Sequence, residues 1–192
     1  MTKTPSRKTF HTKTVKSFLS SSYDKKPKGP KGYELDKSLS GRRAQVYKGK
    51  DDHAVVVHRG TSGFQDMLTD AKFSLGMKKS NRFKHAAKVQ KQAETKYGAQ
   101  NVTTMGHSLG GALAETVGKN SHKVITLNKA AGPQDVGKRI PSNQVDIRTS
   151  KDPVSVLSKE QKGGQRVTIN SSTNNPLKEH KTEVLDRINT RV

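Results

Sequence analysis

The chain contains no cysteine, and its 16 acidic residues are outnumbered by 37 lysines and arginines in 192 residues. Without cysteine no disulfide framework is possible, which slightly favours an intracellular location. No apolar run approaches the roughly 20 residues that a membrane-spanning helix needs, since the longest covers residues 54–57. The sequence therefore predicts a soluble or peripheral protein without a transmembrane segment.

Aromatic side chains are also scarce, with five phenylalanines, four tyrosines and no tryptophan, and only 29% of the residues are apolar. This length and composition predict one compact domain with an economical core. The formal charge of +21 favours contact with a polyanion, either nucleic acid or an anionic membrane surface. Charge alone does not choose between them, although the aromatics are not interleaved with basic residues as in single-strand binding platforms.

The first 43 residues carry 12 basic and 3 acidic side chains, and residues 25–32 alternate lysine with proline and glycine. This composition predicts a basic, flexible tail over residues 1–43, followed by the folded domain over residues 44–192. The N-terminus lacks the apolar region of a secretory signal, which favours a cytoplasmic or virion-associated protein over a secreted one. A mitochondrial-type transit segment is the alternative.

Strand and helix signals alternate through the rest of the chain. Residues 44–47 and 54–57 predict a hairpin, and residues 64–71 a short amphipathic helix. Residues 83–97 predict a longer helix that ends at Gly98. Further strands alternate with helices towards the C-terminus, which predicts an α/β fold with a mostly parallel central sheet covered by helices on both faces.

The most informative motif is Gly-His-Ser-Leu-Gly-Gly at residues 106–111, directly after the strand pattern of residues 102–105. A serine between glycines at a sharp strand-to-helix turn is typical of a nucleophile elbow, which exposes the hydroxyl of Ser108. The turn also places the amide of Leu109 at a helix N-terminus, where it can bind a developing oxyanion. A strand-loop-helix turn with an unreactive serine is the alternative.

A nucleophilic serine needs a base, and the base needs an acid that fixes its tautomer. Of the histidines that follow Ser108, His122 lies just beyond the next helix, towards the wrong end of the sheet. We therefore predict that His180 is the base. An exposed histidine in a charged C-terminal segment is the alternative.

Three aspartates lie between the serine and this base. Asp146 falls inside an alternating strand, whereas Asp152 follows a strand and precedes a stiffening proline. Active sites of open α/β folds assemble at the carboxyl ends of strands, which favours Asp152. Asp135, on another loop after a strand, is the alternative.

A second oxyanion donor is expected from another loop at a strand end. Arg59-Gly60-Thr61 follows the strand at residues 54–57, and Gly60 allows close backbone approach. Thr61 is the predicted donor. A loop in which the threonine only satisfies its own neighbours is the alternative.

These segments, in order, resemble the class 3 lipases of the α/β-hydrolase fold from about residue 55 to residue 180, which is most of the folded part. The matching pieces are Arg59-Gly60-Thr61, the amphipathic segment with Asp70, the long helix, residues 106–111, Ala131-Gly132-Pro133, Val136-Gly137, Asp152-Pro153-Val154 and His180. The resemblance implies an α/β-hydrolase core with a minimal N-terminal part. It also implies that Ser108, Asp152 and His180 form a catalytic triad and that Thr61 and Leu109 line the oxyanion hole.

In fungal members of that family the segment after the oxyanion turn is a movable lid. The resemblance therefore implies a candidate lid at Phe64, Met67 and Leu68. A fixed helix whose apolar stripe belongs to the core is the alternative, because periodicity does not report movement.

No metal-binding or phosphate-binding motif is present, so we expect catalysis without cofactor or metal. The preferred function is a serine carboxylester hydrolase that cleaves acyl esters of lipids, either acylglycerols or phospholipids. A cationic surface favours peripheral contact with an anionic membrane. The alternative is a cationic nucleic-acid-binding or virion-associated protein with a degenerate hydrolase core, using its basic tail.

Overall fold

The central sheet has its strands in the same order as the sequence. The computed structural model describes residues 8–50, 52–63 and 80–192. Its seven strands are β1 (Glu34–Leu35), β2 (Ala44–Lys48), β3 (Ala54–His58), β4 (Val102–His107), β5 (Lys123–Leu127), β6 (Arg139–Thr149) and β7 (Lys162–Ile169). Strands β1 to β3 pair antiparallel and β3 to β7 pair parallel. The predicted α/β class and the hairpin are confirmed.

The helices of the described ranges are α1 (Thr12–Ser21), α2 (Asn81–Tyr97), α3 (Leu109–Val117) and α4 (Pro176–His180). Helix α2 begins where the Ser80 hydroxyl accepts the Phe83 N–H, and it ends at Gly98, whose φ of 80° favours glycine. Near residues 181–189, where the sequence also predicts a helix, the chain forms a 3₁₀ helix at Thr182–Arg187. None of the described helices is long and apolar enough to cross a membrane.

Two cores fill the two faces of the sheet, because successive side chains of a strand point to opposite faces. In β3, Val55 and Val57 belong to one core, and Ala54 and Val56 to the other. The first core also takes side chains from α1 and the C-terminal segment, among them Phe18, Leu19, Val184 and Leu185. The second core takes Val89, Ala93 and Tyr97 from α2. Both faces are therefore covered, as predicted.

The N-terminal segment differs from the sequence prediction. Residues 8–43 do not form a flexible tail: α1 buries Val15, Phe18 and Leu19 against the sheet. The Phe10 and Val192 backbones exchange two hydrogen bonds of 2.7 and 2.9 Å, which ties the two ends of the chain together. The apolar positions of α1 have helical spacing, but the basic composition of residues 1–43 as a whole hides this short pattern. The folded domain therefore begins before residue 44.

The candidate lid residues Phe64, Met67 and Leu68 lie outside the described residues, as does Asp70. The lid therefore stays a prediction.

Candidate active site

Ser108 stands at the junction of β4 and α3 with φ 58° and ψ −128°, a conformation that few residues other than glycine adopt. The turn around it is crowded. A Cβ atom on Gly106 would lie 2.0 Å from the Gly110 carbonyl oxygen, and one on Gly110 would lie 2.0 Å from the His58 carbonyl oxygen. The sequence predicts this elbow because only glycine fits at both places.

Asp152 and His180 form a buried pair. His180 Nδ1–H donates to Asp152 Oδ1 at 2.6 Å, and the second carboxylate oxygen accepts the Ser155 N–H at 2.8 Å. The two residues are 1% and 4% exposed. A carboxylate only accepts, so this contact fixes the tautomer that leaves His180 Nε2 free to accept a proton.

Two polar atoms of this region have no partner among the described residues. Both Ser108 Oγ and His180 Nε2 are buried without a hydrogen bond, so neither is bonded to the other. Ser155 Oγ, in the residue whose N–H binds Asp152, is also buried without a hydrogen bond, so a missing partner does not by itself identify a reacting atom. Hydrogen bonds between nucleophile and base are often long in enzymes without substrate. We call Ser108, Asp152 and His180 the elbow cluster.

Hydrogen bonds from His107 and Asn128 hold the backbone carbonyls of residues 179 and 180. His107 Nε2–H donates to the His180 carbonyl oxygen at 2.7 Å, and the two imidazole rings lie 4.7 Å apart between centroids. Asn128 Nδ2–H, from the end of β5, donates to the Glu179 carbonyl at 2.9 Å and contacts the His180 carbonyl at 3.3 Å. Residues far apart in the sequence thus bring His180 against His107, the residue that precedes Ser108.

Tyr23 is a site residue that the sequence analysis missed, because it lies in the segment predicted as a tail. Its hydroxyl donates to His107 Nδ1 at 2.8 Å, and a Cβ on Gly60 would lie 2.5 Å from the hydroxyl oxygen. Burial raises the pKa of Tyr23 to about 12. Burial, and then the nearby His180, lower the pKa of His107 to about 3, so both groups are neutral at pH 7.

The predicted oxyanion turn packs against the elbow. A Cβ on Gly60 would lie 2.6 Å from the His107 carbonyl oxygen and 3.3 Å from Ser108 Cβ, so only glycine allows this approach. Thr61 follows directly and is half-buried. The Leu109 N–H, the first amide of α3, has no acceptor within its own helix. Both predicted donors therefore belong to backbone that adjoins Ser108.

A cavity of about 480 Å³ adjoins these residues. Its lining includes Thr61, His107, His180 and Leu177. Ser108 itself is 0% exposed and does not line the cavity, although His107 and Thr61 on either side of the elbow do. The size is that of a small-molecule site.

The rejected candidates have other contacts. Asp146 pairs with Lys129 at 2.5 Å, and Asp135 accepts the Gly132 N–H at 3.0 Å. The His122 N–H donates to the Val102 carbonyl at 2.9 Å, at the start of β4, whereas Ser108 follows its end. None of the three is paired with a member of the elbow cluster in the contacts described.

Asp146 belongs to a second buried cluster, which lies beneath α3 and which we call the ion cluster. Lys129 bonds both Glu115 and Asp146, and Lys138 bonds Glu115 at 2.5 Å. Burial alone raises the pKa of Glu115, but the two ammonium groups outweigh it and lower the pKa to about 2. Gln144 adds hydrogen bonds of 2.8 and 2.7 Å to Glu115 and Asp146.

Metal ligation is not indicated in the described ranges, where no three histidine, cysteine or acidic side chains are grouped to hold an ion. Catalysis without cofactor stays a prediction.

Comparison with known proteins relates the chain to hydrolases. A family model of the Tle-like phospholipase domain matches residues 18–157. A triacylglycerol lipase from Penicillium expansum is similar in fold, at 16% identity and a TM-score of 0.52, covering 82% of this chain and 77% of that chain. The Lip2 lipase from Yarrowia lipolytica has 17% identity and a TM-score of 0.53, covering 91% and 86%. Such identities show the α/β-hydrolase fold alone. No curated protein matches the chain.

Proposed function

The chain belongs to the Tle-like phospholipase domain family and is a lipase-like hydrolase; on this premise, we propose that it is a serine carboxylester hydrolase that cleaves acyl esters of lipids. The observation that carries the proposal is the buried Asp152–His180 pair of 2.6 Å beside a serine at a strained turn. The unpartnered Ser108 Oγ and His180 Nε2 are compatible with it, because no other described group occupies the atoms that would attack the ester and take the proton.

In the proposed mechanism, Ser108 Oγ attacks the ester carbonyl carbon while His180 Nε2 takes the hydroxyl proton. Asp152 stabilises the imidazolium that forms and keeps Nδ1 protonated. The imidazolium then returns the proton to the leaving alkoxide, which gives an alcohol and an acyl-enzyme. A water molecule attacks this ester by the same proton route and releases the fatty acid.

The tetrahedral intermediates carry negative charge on the former carbonyl oxygen. We propose that the backbone amides of Leu109 and Thr61 donate to this oxygen. Support comes from the position of Leu109 at a helix N-terminus and from the packing of Gly60 against Ser108. Loss of one such donor typically costs about 10² to 10³ in kcat.

Within the lipase-like hydrolases we propose a class 3 type of enzyme with a phospholipase A activity. The ordered motifs of residues 59–180 support the class, and the family description supports a phospholipid substrate. The charge of +21 supports contact with an anionic membrane surface, at about 1 kcal/mol per basic residue near the leaflet.

The test is fatty-acid release from phosphatidylglycerol vesicles and from emulsified triacylglycerol by the wild type and by Ser108→Ala. We expect release by the wild type and a loss of at least about 10⁴-fold in the variant. Ser155→Ala is the matched control, since Ser155 Oγ is also buried without a partner, and it should retain activity. Equal activity of Ser108→Ala and wild type would overturn the proposal.

A further inference from the structure

A second cavity, of about 230 Å³, lies on the other side of the oxyanion turn. Thr61, Ser62 and Gly60 form part of its lining. The rest of the lining is arginine, and we call this cavity the arginine pocket after Arg42, Arg43, Arg59 and Arg82. No acidic side chain lines it among the described residues.

The arginines are brought together by the backbone. Arg43 and Arg59 lie one position beyond the paired Ala44 and His58 of β2 and β3, and the Arg59 N–H donates to the Arg43 carbonyl at 3.0 Å. The Arg82 guanidinium donates to the Arg59 carbonyl at 2.6 Å. Arg43 and Arg59 thus lie opposite each other just beyond the paired strands, which concentrates positive charge beside the oxyanion turn.

Three of the four arginines have no acidic partner among the described residues. Arg42, Arg43 and Arg59 take part in none of the ion pairs of this part of the chain, although Arg59 stacks over the Tyr23 ring at 5.4 Å. The positive charge of the arginines also acts on a nearby histidine. Burial, and then Arg43 and Arg82, lower the pKa of His85. Planar guanidinium groups bind phosphate oxygens in pairs, which makes such a cluster suited to a phosphate.

The arginine pocket is next to the candidate active site, because Arg59, Thr61 and Ser62 line both cavities. We infer that the arginine pocket binds the phosphate of a glycerophospholipid whose acyl ester lies at Ser108. This assignment rests on the proposed ester hydrolysis. In such a lipid only the ester oxygen, two glycerol carbons and one phosphate oxygen separate the sn-2 carbonyl from the phosphorus, so both groups fit across one turn.

The first test measures binding in the Ser108→Ala background, where no ester is cleaved. Calorimetric titration compares soluble dihexanoyl phosphatidic acid, dihexanoylglycerol and inorganic phosphate. We expect Arg42→Gln/Arg43→Gln to weaken the phosphatidic acid complex by about tenfold or more and to leave dihexanoylglycerol binding unchanged. Lys37→Gln/Lys119→Gln is the control, because it removes the same charge from two exposed lysines outside the pocket.

The second test measures kcat/KM of the enzyme with Ser108 intact on the same two lipids. The arginine variant should lose about tenfold on phosphatidic acid and nothing on dihexanoylglycerol, and the lysine variant should lose nothing on either. Equal losses on both lipids, or none, would overturn the inference. So would inorganic phosphate that binds as tightly as phosphatidic acid, which would assign the pocket to a free anion.

The two proposals fail separately. A wild type that hydrolyses no ester, with arginine-dependent binding of phosphatidic acid intact, contradicts the ester hydrolase and leaves a phospholipid-binding pocket. Suppose instead that hydrolysis depends on Ser108 but kcat/KM is the same for both lipids and is unchanged in the arginine variant. That result contradicts the phosphate-binding pocket and leaves the ester hydrolase intact.

Discussion

The elbow cluster and the ion cluster are both buried groups of titratable side chains, yet their hydrogen bonding is opposite. In the ion cluster Lys129 and Glu115 each bond two charged partners. In the elbow cluster Ser108 Oγ and His180 Nε2 have no partner, and the Ser108 backbone has a positive φ. The charged groups of the ion cluster are all paired, although Gln144 Oε1 beside them is not, whereas the elbow cluster leaves the hydroxyl of Ser108 and the Nε2 of His180 without partners among the described residues.

This difference separates structural from functional burial. An unpartnered buried polar atom costs about 1–3 kcal/mol, and a strained backbone position costs a similar amount. The elbow cluster therefore lowers stability, as expected where a reaction needs free atoms. The ion cluster offsets the desolvation of its charges with hydrogen bonds. Substitutions in the elbow cluster should change activity, and those in the ion cluster should change stability.

The largest effect is expected for Asp152→Asn. The amide leaves the size of the side chain unchanged, but it favours the wrong tautomer of His180. We expect kcat to fall by about 10³- to 10⁴-fold, with the unfolding midpoint in urea close to that of the wild type. Ester hydrolysis and urea unfolding check the two parts.

Asp146→Asn is the matched control for that substitution, since Asp146 is also buried but pairs with Lys129. It should lower the unfolding midpoint and leave kcat per folded molecule unchanged. If both asparagine variants lose activity to the same extent, the distinction between the two clusters is wrong.

Lys129→Met should give the largest loss of stability. It removes the cation between Glu115 and Asp146 and leaves two buried carboxylates facing each other. We expect the free energy of unfolding to fall by about 3–5 kcal/mol at pH 7. Lys138→Met is the control, because Lys138 is 41% exposed at its side chain and its loss should cost much less. Comparable losses in urea unfolding would contradict this account.

Acid should weaken the molecule in two pH ranges that overlap. The pKa of His107 is lowered to about 3 and those of His58 and His53 to about 4, chiefly by burial. The unfolded chain binds protons at these positions from about pH 6.5 downwards, whereas the folded chain does not. Stability is therefore complete above pH 6.5 and falls below it, by about 1.4 kcal/mol per pH unit for each histidine.

The ion cluster should respond at lower pH. Glu115 has its pKa lowered to about 2, so its contribution is present above about pH 4.5 and is lost as the pH falls towards 2. Unfolding measured in steps from pH 7 to pH 2 checks both ranges. Replacing His58 with Gln should reduce the slope between pH 6.5 and 4; an unchanged slope would contradict the burial of a neutral imidazole.

The smallest effect is expected for Tyr23→Phe, which removes the hydroxyl that donates to His107. One hydrogen bond contributes about 1 kcal/mol, so we expect kcat to fall by about three- to tenfold through looser positioning of His107 and His180. Tyr33→Phe is the control, because the Tyr33 hydroxyl contacts His53 at 3.2 Å, another imidazole outside the site. If Tyr23→Phe and Tyr33→Phe lower kcat equally, the positioning role of Tyr23 is contradicted.

The sequence was sufficient where local chemistry dictates the backbone. The glycines at positions 106 and 110 predict the turn at Ser108, because a Cβ at either would overlap a carbonyl oxygen. Strand alternation distinguishes Asp146, inside β6, from Asp152, beyond its end. Contacts between residues far apart in the chain leave no comparable pattern in the sequence. The roles of Tyr23 and Asn128 depend on which residues meet them after folding.

Helix α1 was missed for a different reason. Val15, Phe18 and Leu19 have the spacing of an amphipathic helix, but a segment with so many basic residues reads as a tail when composition is averaged. The burial of one face decides the structure, and an average over both faces does not show it.

The most direct test of the central claim is labelling of the folded protein with a fluorophosphonate, followed by mass spectrometry of the adduct. The account predicts one adduct, on Ser108, that is absent from Ser108→Ala, strongly reduced in Asp152→Asn and unchanged in Ser155→Ala. A folded wild type that gives no adduct, or an adduct on another serine, would contradict it.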